Sequence, residues 1–323
     1  MALPTLSADQ IEDIYVTTFN KKLPDVIDNV YTSNPFLATL NAQERIILDG
    51  GRRIEQGMIY GKLNGGSYGR GDTFNTARVN TKTAFILDWK THYVDVTIDG
   101  MDELQNAGAA AVFDNAEMKM QEAELTAKDN IGGELFTAGT NNSGKALNGL
   151  EEWVDDGTNY ASIGGITRDT STQGTAAKAT YDATGGSATI PTIQTQYGLV
   201  TIENEKPNLM LTTQTIWDAF FNRVQPQQRY PTGPGFDYLA QIGFDAIKFQ
   251  RSAVLVDSHV QSGRLYGLNT EYIKLIVHSA RNLVWRGWIP TSNKDEKVGQ
   301  LLWAGNVVVG GPRFHFQMRG LTA

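Results

Sequence analysis

The sequence predicts an α+β chain, on three observations. First, residues 52–98 read as a glycine-tipped strand pair. Ile54, Met58 and Tyr60 alternate with polar positions, and Phe85, Leu87, Trp89 and Tyr93 share one face of the return strand. Second, one long, lean helix follows, from about Met101 to Ile131. Third, short strands and helices alternate from Thr192 onward without an internal repeat, which argues against a doubly wound sheet.

Taken in order, residues 1–45 hold three short amphipathic pieces separated by prolines. Ser7 with Gln10 fits a capping box ahead of Ile11, Ile14, Tyr15 and Phe19. Pro24 opens a second piece with Val26, Ile27, Val30 and Tyr31, and Asn34-Pro35 a third with Phe36, Leu37 and Leu40. The pattern fits an arm lying on something else and an ordinary helical lobe equally well. The hairpin tip that follows contains Gly61, Gly65, Gly66, Gly69 and Gly71. At Tyr93–Val94 the apolar phase slips to Val94, Val96 and Ile98, which requires a bulge or a second strand because the side-chain period is two.

In the long helix Leu104, Ala111, Met118 and Leu125 recur every seven residues, widened slightly by Ala107 and Val112. A helix facing a full core carries a broader stripe. Nine charged positions, Glu117 and Glu124 among them, are left for the outside, and Gly132-Gly133 is expected to end or kink the helix. At about 1.5 Å per residue it spans on the order of 45 Å. Residues 138–195 are irregular and polar, with a surface loop or short hairpin around 173–187.

Beyond them, Ile193, Tyr197 and Val200 have helical spacing and Leu209-Met210-Leu211 reads as a buried strand. Thr212 or Thr213 caps a helix whose apolar face is Ile216, Trp217, Phe220, Phe221 and Val224. Prolines and glycines over 226–235 make a stiff loop. Short strands follow around Ala253–Val256, Leu265–Leu268, Ile273–Val277, Leu301–Trp303, Val307–Val309 and Phe314–Met318.

Composition narrows the function classes. A length of 323 residues suggests about two domains. The absence of cysteine rules out disulfides and thiolate metal sites. A net charge of −7 and a pI of about 5.2 argue against a dedicated nucleic-acid binder, which carries a basic face. No apolar run approaches the roughly 20 residues that span a membrane, and Met1-Ala-Leu-Pro begins no basic-then-apolar leader. The chain therefore reads as soluble and made inside the cell.

Several local patterns suggest chemistry and then fall short of it. Gly139-Thr-Asn-Asn-Ser-Gly144-Lys145-Ala146 matches a phosphate-binding loop except at its last position, where alanine lacks the hydroxyl that would hold Mg²⁺. A helix precedes it and no clear helix follows, so a polar connection is expected. His92, His259, His278 and His315 have no metal-ligand spacing, although Asp257 and His259 can share a strand face as a two-ligand pair or a base–orienter pair, with no third partner nearby in sequence. Glu151-Glu152 and Asp155-Asp156, in a glycine-bounded loop, are expected to be solvated. Arg70-Gly71-Asp72 spells a cell-adhesion tripeptide too short to be specific. Arg52, Arg53, Lys62 and Arg70 make the hairpin basic on an acidic chain. Facing acids of a neighbouring copy's long helix, they would set register. A lone hairpin is marginal in water, which favours such a contact over a solvated arm.

Several phrases resemble the major capsid proteins of tailed bacteriophages with the Hong Kong 97-type fold. They are Pro207-Asn208-Leu209 with Thr212-Thr213, Gln225–Tyr230, Gly243-Phe244 with Ile247-Lys248-Phe249, and Leu268–Tyr272 through Leu275 and His278. Trp285, Pro290, Asn293, Asp295 and Gly305 continue the pattern, and Gly149-Leu150, Trp153 and Ile163–Arg168 precede it. The sequence departs from it at 173–190, which reads as an insertion, and after Gly311.

The resemblance implies an N-terminal arm at 1–45 and an extended loop at 46–98. It also implies a spine helix and peripheral domain at 99–145, completed by 301–323, and an axial domain at 146–300. It implies a non-enzymatic shell subunit, found in the virion and assembled in the host bacterial cytoplasm. Pentamers and hexamers would enclose double-stranded DNA without sequence-specific binding. Its partners would be copies of itself, a portal, and scaffolding or decoration proteins, with no membrane, metal or cofactor. The inter-subunit contact candidates are Arg52, Arg53, Lys62, Gly65, Gly66, Arg70, Asp72, Glu117 and Glu124. Lys62 sits where some relatives place a crosslinking lysine, but no partner asparagine or catalytic acid is identifiable. The alternatives are an encapsulin-like cargo shell with the same fold, and an enzyme with a site near Asp257 and His259.

Overall fold

A computed structural model describes residues 34–43, 46–101, 115–224 and 247–322. The expected helices before Asn34, the first part of the heptad line (Leu104 to Val112), the 226–235 loop, and the phrases at 225–230 and 243–244 lie outside them.

The chain divides into two compact units. Among the described residues, one contains 93–101, 115–128 and 283–302, and the other 34–43, 46–92, 129–224, 247–282 and 303–322.

The first half opens with helix α1 (Pro35–Ala42), capped by the Asn34 side chain, which accepts from the Leu37 amide at 2.8 Å. Phe36, Leu37 and Leu40 are buried, as their spacing predicts. Strand β1 (Ile46–Leu48) follows, then the antiparallel pair β2 (Ile54–Ile59) and β3 (Lys82–Leu87), in register from Ile54 opposite Leu87 to Ile59 opposite Lys82. Ile54, Met58, Phe85 and Leu87 form its buried face, and Ile59 and Ile86 point the other way.

β4 (Lys90–Asp99) is a second strand, so the phase slip is a strand break, placed at Asp88–Trp89 rather than at Tyr93. His92, Val94, Val96 and Ile98 face inward, and Tyr93, expected inside, is exposed. The helix α2 (Asn115–Glu134) ends one residue past Gly132-Gly133, close to the expected stop. Its buried line is Ala123, Ala127 and Ile131, one turn apart, while Leu125 of the expected heptad line is half-buried. The glycines serve close approach, since a Cβ on Gly132 would lie 2.2 Å from the Asn34 amide nitrogen.

A short helix α3 (Leu150–Trp153) precedes the hairpin of β5 (Ser162–Ile163) and β6 (Ile166–Thr167). Gly164 and Gly165 turn this hairpin with φ of +54° and +81°, a primed turn that side chains disfavour. The region expected to be a surface loop or short hairpin holds α4 (Thr172–Ala176), β7 (Thr180–Asp182) and β8 (Gly186–Ser187). β7 pairs in parallel with residues 316–318, a long-range partner that local composition does not announce.

The second half carries α5 (Ile190–Val200), β9 (Leu209–Thr212) and α6 (Gln214–Val224), as the spacing predicts. β10 (Ile247–Phe249), β11 (Ser252–Val256), β12 (Leu265–Leu268) and β13 (Ile273–His278) come next. They lead to β14 (Val284–Pro290), the continuous β15 (Glu296–Val309), β16 (Phe316–Met318) and β17 (Leu321–Thr322).

In the larger unit a six-stranded sheet has the order β10-β11-β9-β12-β16-β7. Helices α5 and α6 bury Ile193, Tyr197, Val200, Ile216 and Phe220 against Met210, Val254, Leu265 and Phe316. Each such side chain contributes about 1.5–3 kcal/mol. In the same unit the C-terminal half of β15 pairs with β13, from Val309 opposite Ile273 to Gly305 opposite Val277. In the smaller unit its N-terminal half pairs with β14, and Val96, Ala123, Ala127 and Leu301 pack with Trp285 and Trp288.

Candidate functional site

Two places carry the residues singled out above: the hairpin arm and the turn after β11. The arm's base is fixed. Phe85 meets the Trp153 ring edge-on at 5.2 Å, the Ile86 amide donates to Gly164 O at 2.9 Å, and Gln173 donates to Thr83 Oγ1 at 2.9 Å.

Beyond Ile59 the arm is a 22-residue excursion, 60–81, that buries almost nothing of its own. Leu63, Tyr68 and Phe74 are 67–76 % exposed, and the two aromatic rings meet edge-on at 5.2 Å. Six basic residues (Arg52, Arg53, Lys62, Arg70, Arg78 and Lys82) lie between 51 and 82 against two acidic ones (Glu55 and Asp72), and all eight are exposed.

The Arg70 turn is built locally. The Asp72 amide donates to Gly69 O at 3.2 Å and the Asp72 carboxylate accepts from the Gly69 amide, with Gly71 at φ +92° in the position that needs glycine. Asp72 is thus a turn former. Gly65 and Gly66 face open space. Of the expected contact cations, Arg53 is engaged within the chain, by Asp88 at 3.1 Å.

Glu124 is exposed and pairs with Lys128 at 3.4 Å one turn on; Glu117 lies on the same helix. The helix between 115 and 134 carries five acids and two bases (Glu117, Glu122, Glu124, Asp129 and Glu134; Lys119 and Lys128). The arm and the helix therefore have opposite charge. Arg78, Lys82 and the exposed aromatics Tyr68 and Phe74 were not singled out from sequence, because an apolar residue in a glycine-rich loop has no periodicity to mark it.

Asp257 and His259 lie on the turn that follows β11 rather than on a strand face, with the Val260 amide donating to Asp257 O. Asp257 is buried. It accepts from the His259 amide at 3.0 Å, and from the Phe36 amide at 3.4 Å at the start of α1. His259 Nδ1 is 3.2 Å from Asp257 and Nε2 is 3.0 Å from Asp129 of α2. The hydrogen bond to Asp257, opposed by burial and aided by Asp129, raises the His259 pKa.

Two carboxylates can only accept, so the ring satisfies both only when doubly protonated, and it then has no lone pair for a substrate proton. The cluster is a polar joint between the start of α1, the last turns of α2 and the β11–β12 turn. Asp129, 130 residues away, completes it, and spacing could not reveal it.

The remaining motifs resolve as structure. At the phosphate-loop look-alike the Gly139 amide donates to the buried Glu152 carboxylate at 2.9 Å, so an acid occupies a donor a phosphate would use. Asn142 and Ser143 continue in left-handed backbone (φ 50° and 56°). Glu152 and Asp155, expected to be solvated, are buried. The Glu152 carboxylate accepts from the Gly139 amide and Asn148 Nδ2, and Asp155 accepts from the Gly157, Asn159 and Tyr160 amides and Asn159 Nδ2. Arg168, also buried, donates to the carbonyls of Glu152, Trp153, Tyr160 and Ala177 and lies 3.9 Å from Asp155. Burial lowers the Arg168 pKa and the nearby acids oppose that shift. Glu151 accepts from Arg264 and Arg319 at 3.0 and 3.3 Å. Burial alone pushes His315 down to about 3. Its Nδ1 accepts from the Asn269 amide at 3.1 Å, and among the described residues its Nε2 has no partner.

No protein-family model matches the chain, and no curated protein sequence matches it. Solved structures do. The capsid protein of cyanophage A-1(L) superposes with a TM-score of 0.67 at 16 % identity, over 93 % of this chain and 96 % of that one. A native GTA particle capsid gives 0.64 at 9 % identity, over 100 % and 96 %. The SrpI encapsulin of Synechococcus elongatus PCC 7942 gives 0.59 at 9 % identity, over 100 % and 97 %. The chain has the Hong Kong 97-type fold of tailed-phage capsid proteins.

Proposed function

We infer that the chain is a major capsid protein: a non-enzymatic subunit that assembles with copies of itself, as pentamers and hexamers, into an icosahedral shell around double-stranded DNA. The observation that carries this reading is the arm, with exposed apolar side chains and six cations on a segment too thin to bury them itself. Laid over the acidic helix of a neighbouring copy, the arm covers Tyr68 and Phe74 and brings opposite charges together. Arg52, Arg53, Lys62 and Arg70 are its candidate contacts, with Glu117 and Glu124 opposite. Gly65, Gly66 and Asp72 shape the tip.

The mechanism is geometric, since closed rings follow when the same two surfaces recur around a symmetry axis. The N-terminal arm and the peripheral and axial divisions are assigned on the same reading, as are a portal and scaffolding or decoration proteins as further partners. A net charge of −7 fits DNA delivered by a motor rather than drawn in by basic attraction.

The test is assembly of the Tyr68→Ser/Phe74→Ser variant. Both side chains are exposed, so its unfolding midpoint should match the parent's while closed particles disappear from electron micrographs. Particles formed at parental yield would overturn the arm's role. An encapsulin-like shell shares the fold and differs in its contents. Nuclease-protected DNA in particles from the native source supports the capsid reading, and a protein cargo with no DNA contradicts it.

A further inference from the structure

The larger unit contains a basic hollow that shell geometry does not explain. It has a volume of about 420 Å³ and is lined by Tyr197, Asn204, Lys206, Lys248, Gln250 and Arg251. Three elements converge on it. Tyr197 lies on α5, and Asn204 and Lys206 on the connection from α5 to β9, where the Ile202 and Glu205 amides each donate to the other's carbonyl. Lys248, Gln250 and Arg251 come from β10 and the turn into β11, where Phe249 pairs with Ser252.

The floor is rigid: Tyr197 is buried with its hydroxyl donating to Pro207 O at 3.1 Å, and its ring meets Phe249 edge-on at 6.0 Å. The rim is cationic on an acidic chain. Among the described residues no carboxylate lies within ion-pair distance of Lys206 or Arg251. The nearest acid along the chain, Glu205, has its carboxylate on the Asn269 amide at 3.1 Å.

Two turns at the hollow hold non-glycine residues in left-handed backbone. Gln250 has φ +52°, and Glu203, beside Asn204, has φ +54°. Such conformations are costly for residues with a Cβ and concentrate where a surface is shaped for binding. Here they set the amide side chains of Asn204 and Gln250 beside the cations.

The geometry points to a binding site for a phosphate-bearing anion. Lys206, Lys248 and Arg251 would supply charge, and Asn204 and Gln250 amide donors. The volume admits a di- or triphosphate group and lies in the range of small-ligand pockets. The site rests on these residues alone and not on the shell reading, so either can fail without the other. The phosphates could come from a free polyphosphate or from a nucleic-acid backbone, which present the same oxyanions.

The experiment is calorimetric titration of the full chain with tripolyphosphate at low ionic strength, where exposed charges are least screened. The parent should bind saturably at one site per chain. Lys206→Ala/Arg251→Ala should weaken that binding at least tenfold, and a distant pair, Lys274→Ala/Arg281→Ala, should leave it unchanged. A 12-base-pair duplex that displaces tripolyphosphate identifies the backbone of nucleic acid as the source. A duplex that does not displace it identifies a free phosphate compound. Absence of saturable binding, or binding indifferent to Lys206→Ala/Arg251→Ala when both proteins unfold at the same temperature, would overturn the site.

Discussion

Replacing His259 by alanine tests the polar joint most sharply, because two carboxylates converge on one ring. Removing one member of a buried pair costs about 3–5 kcal/mol, since the other charge stays buried and uncompensated. Asp257 keeps its two amide donors, and Asp129, more than a third exposed, is rehydrated, so both place the loss at the lower end.

The loss should depend on pH with a defined sign. The His259 pKa is raised in the fold, so its contribution is fully present below the unfolded value of about 6.5 and fades as pH rises through the raised value. Urea unfolding of parent and variant at pH 6, 7 and 9, followed by tryptophan fluorescence, should give a deficit of about 3 kcal/mol at pH 6 that shrinks at pH 9. A deficit equal at all three values, or larger at pH 9, would refute the imidazolium between two carboxylates.

His315 should act in the opposite direction. The unfolded chain takes up a proton near pH 6.5 that the folded chain refuses until about 3, so stability is lost as pH falls below 6.5. His315→Asn should flatten that acid limb in the same unfolding series. Arg168→Met removes four carbonyl contacts and leaves Asp155 buried beside an apolar side chain, and should lower stability by about 3–5 kcal/mol in denaturant. Gly149→Ala would set a Cβ 2.4–2.5 Å from the carbonyl oxygens of Thr137, Glu134 and Leu135. Backbone cannot yield as a side chain does, so a cost of about 3 kcal/mol and a lower thermal midpoint are expected.

Much of the architecture was legible because it is written in local periodicity. The alternation of Ile54 and Met58 with Phe85 and Leu87, and the 3.6-residue spacing of Ile193, Tyr197 and Val200, survive in the structure. What was not legible depends on partners that periodicity does not mark. Glu152 reads as solvated until Gly139 and Asn148 are seen donating to it, and Asp155 until the donors of Gly157, Asn159 and Tyr160 and the nearby Arg168 are seen around it. The 173–187 segment reads as a loop because its strand partners are the last residues of the chain. Asp257 and His259 were visible as a pair, but the Asp129 that occupies the second ring nitrogen was not, and it turns a candidate base into a joint.

The central claim is assembly. Negative-stain electron microscopy with size-exclusion chromatography of the purified chain tests it directly. The account predicts closed shells, tubes or discrete five- and six-fold rings. A monodisperse monomer or dimer that persists at high concentration and with crowding agents would contradict it.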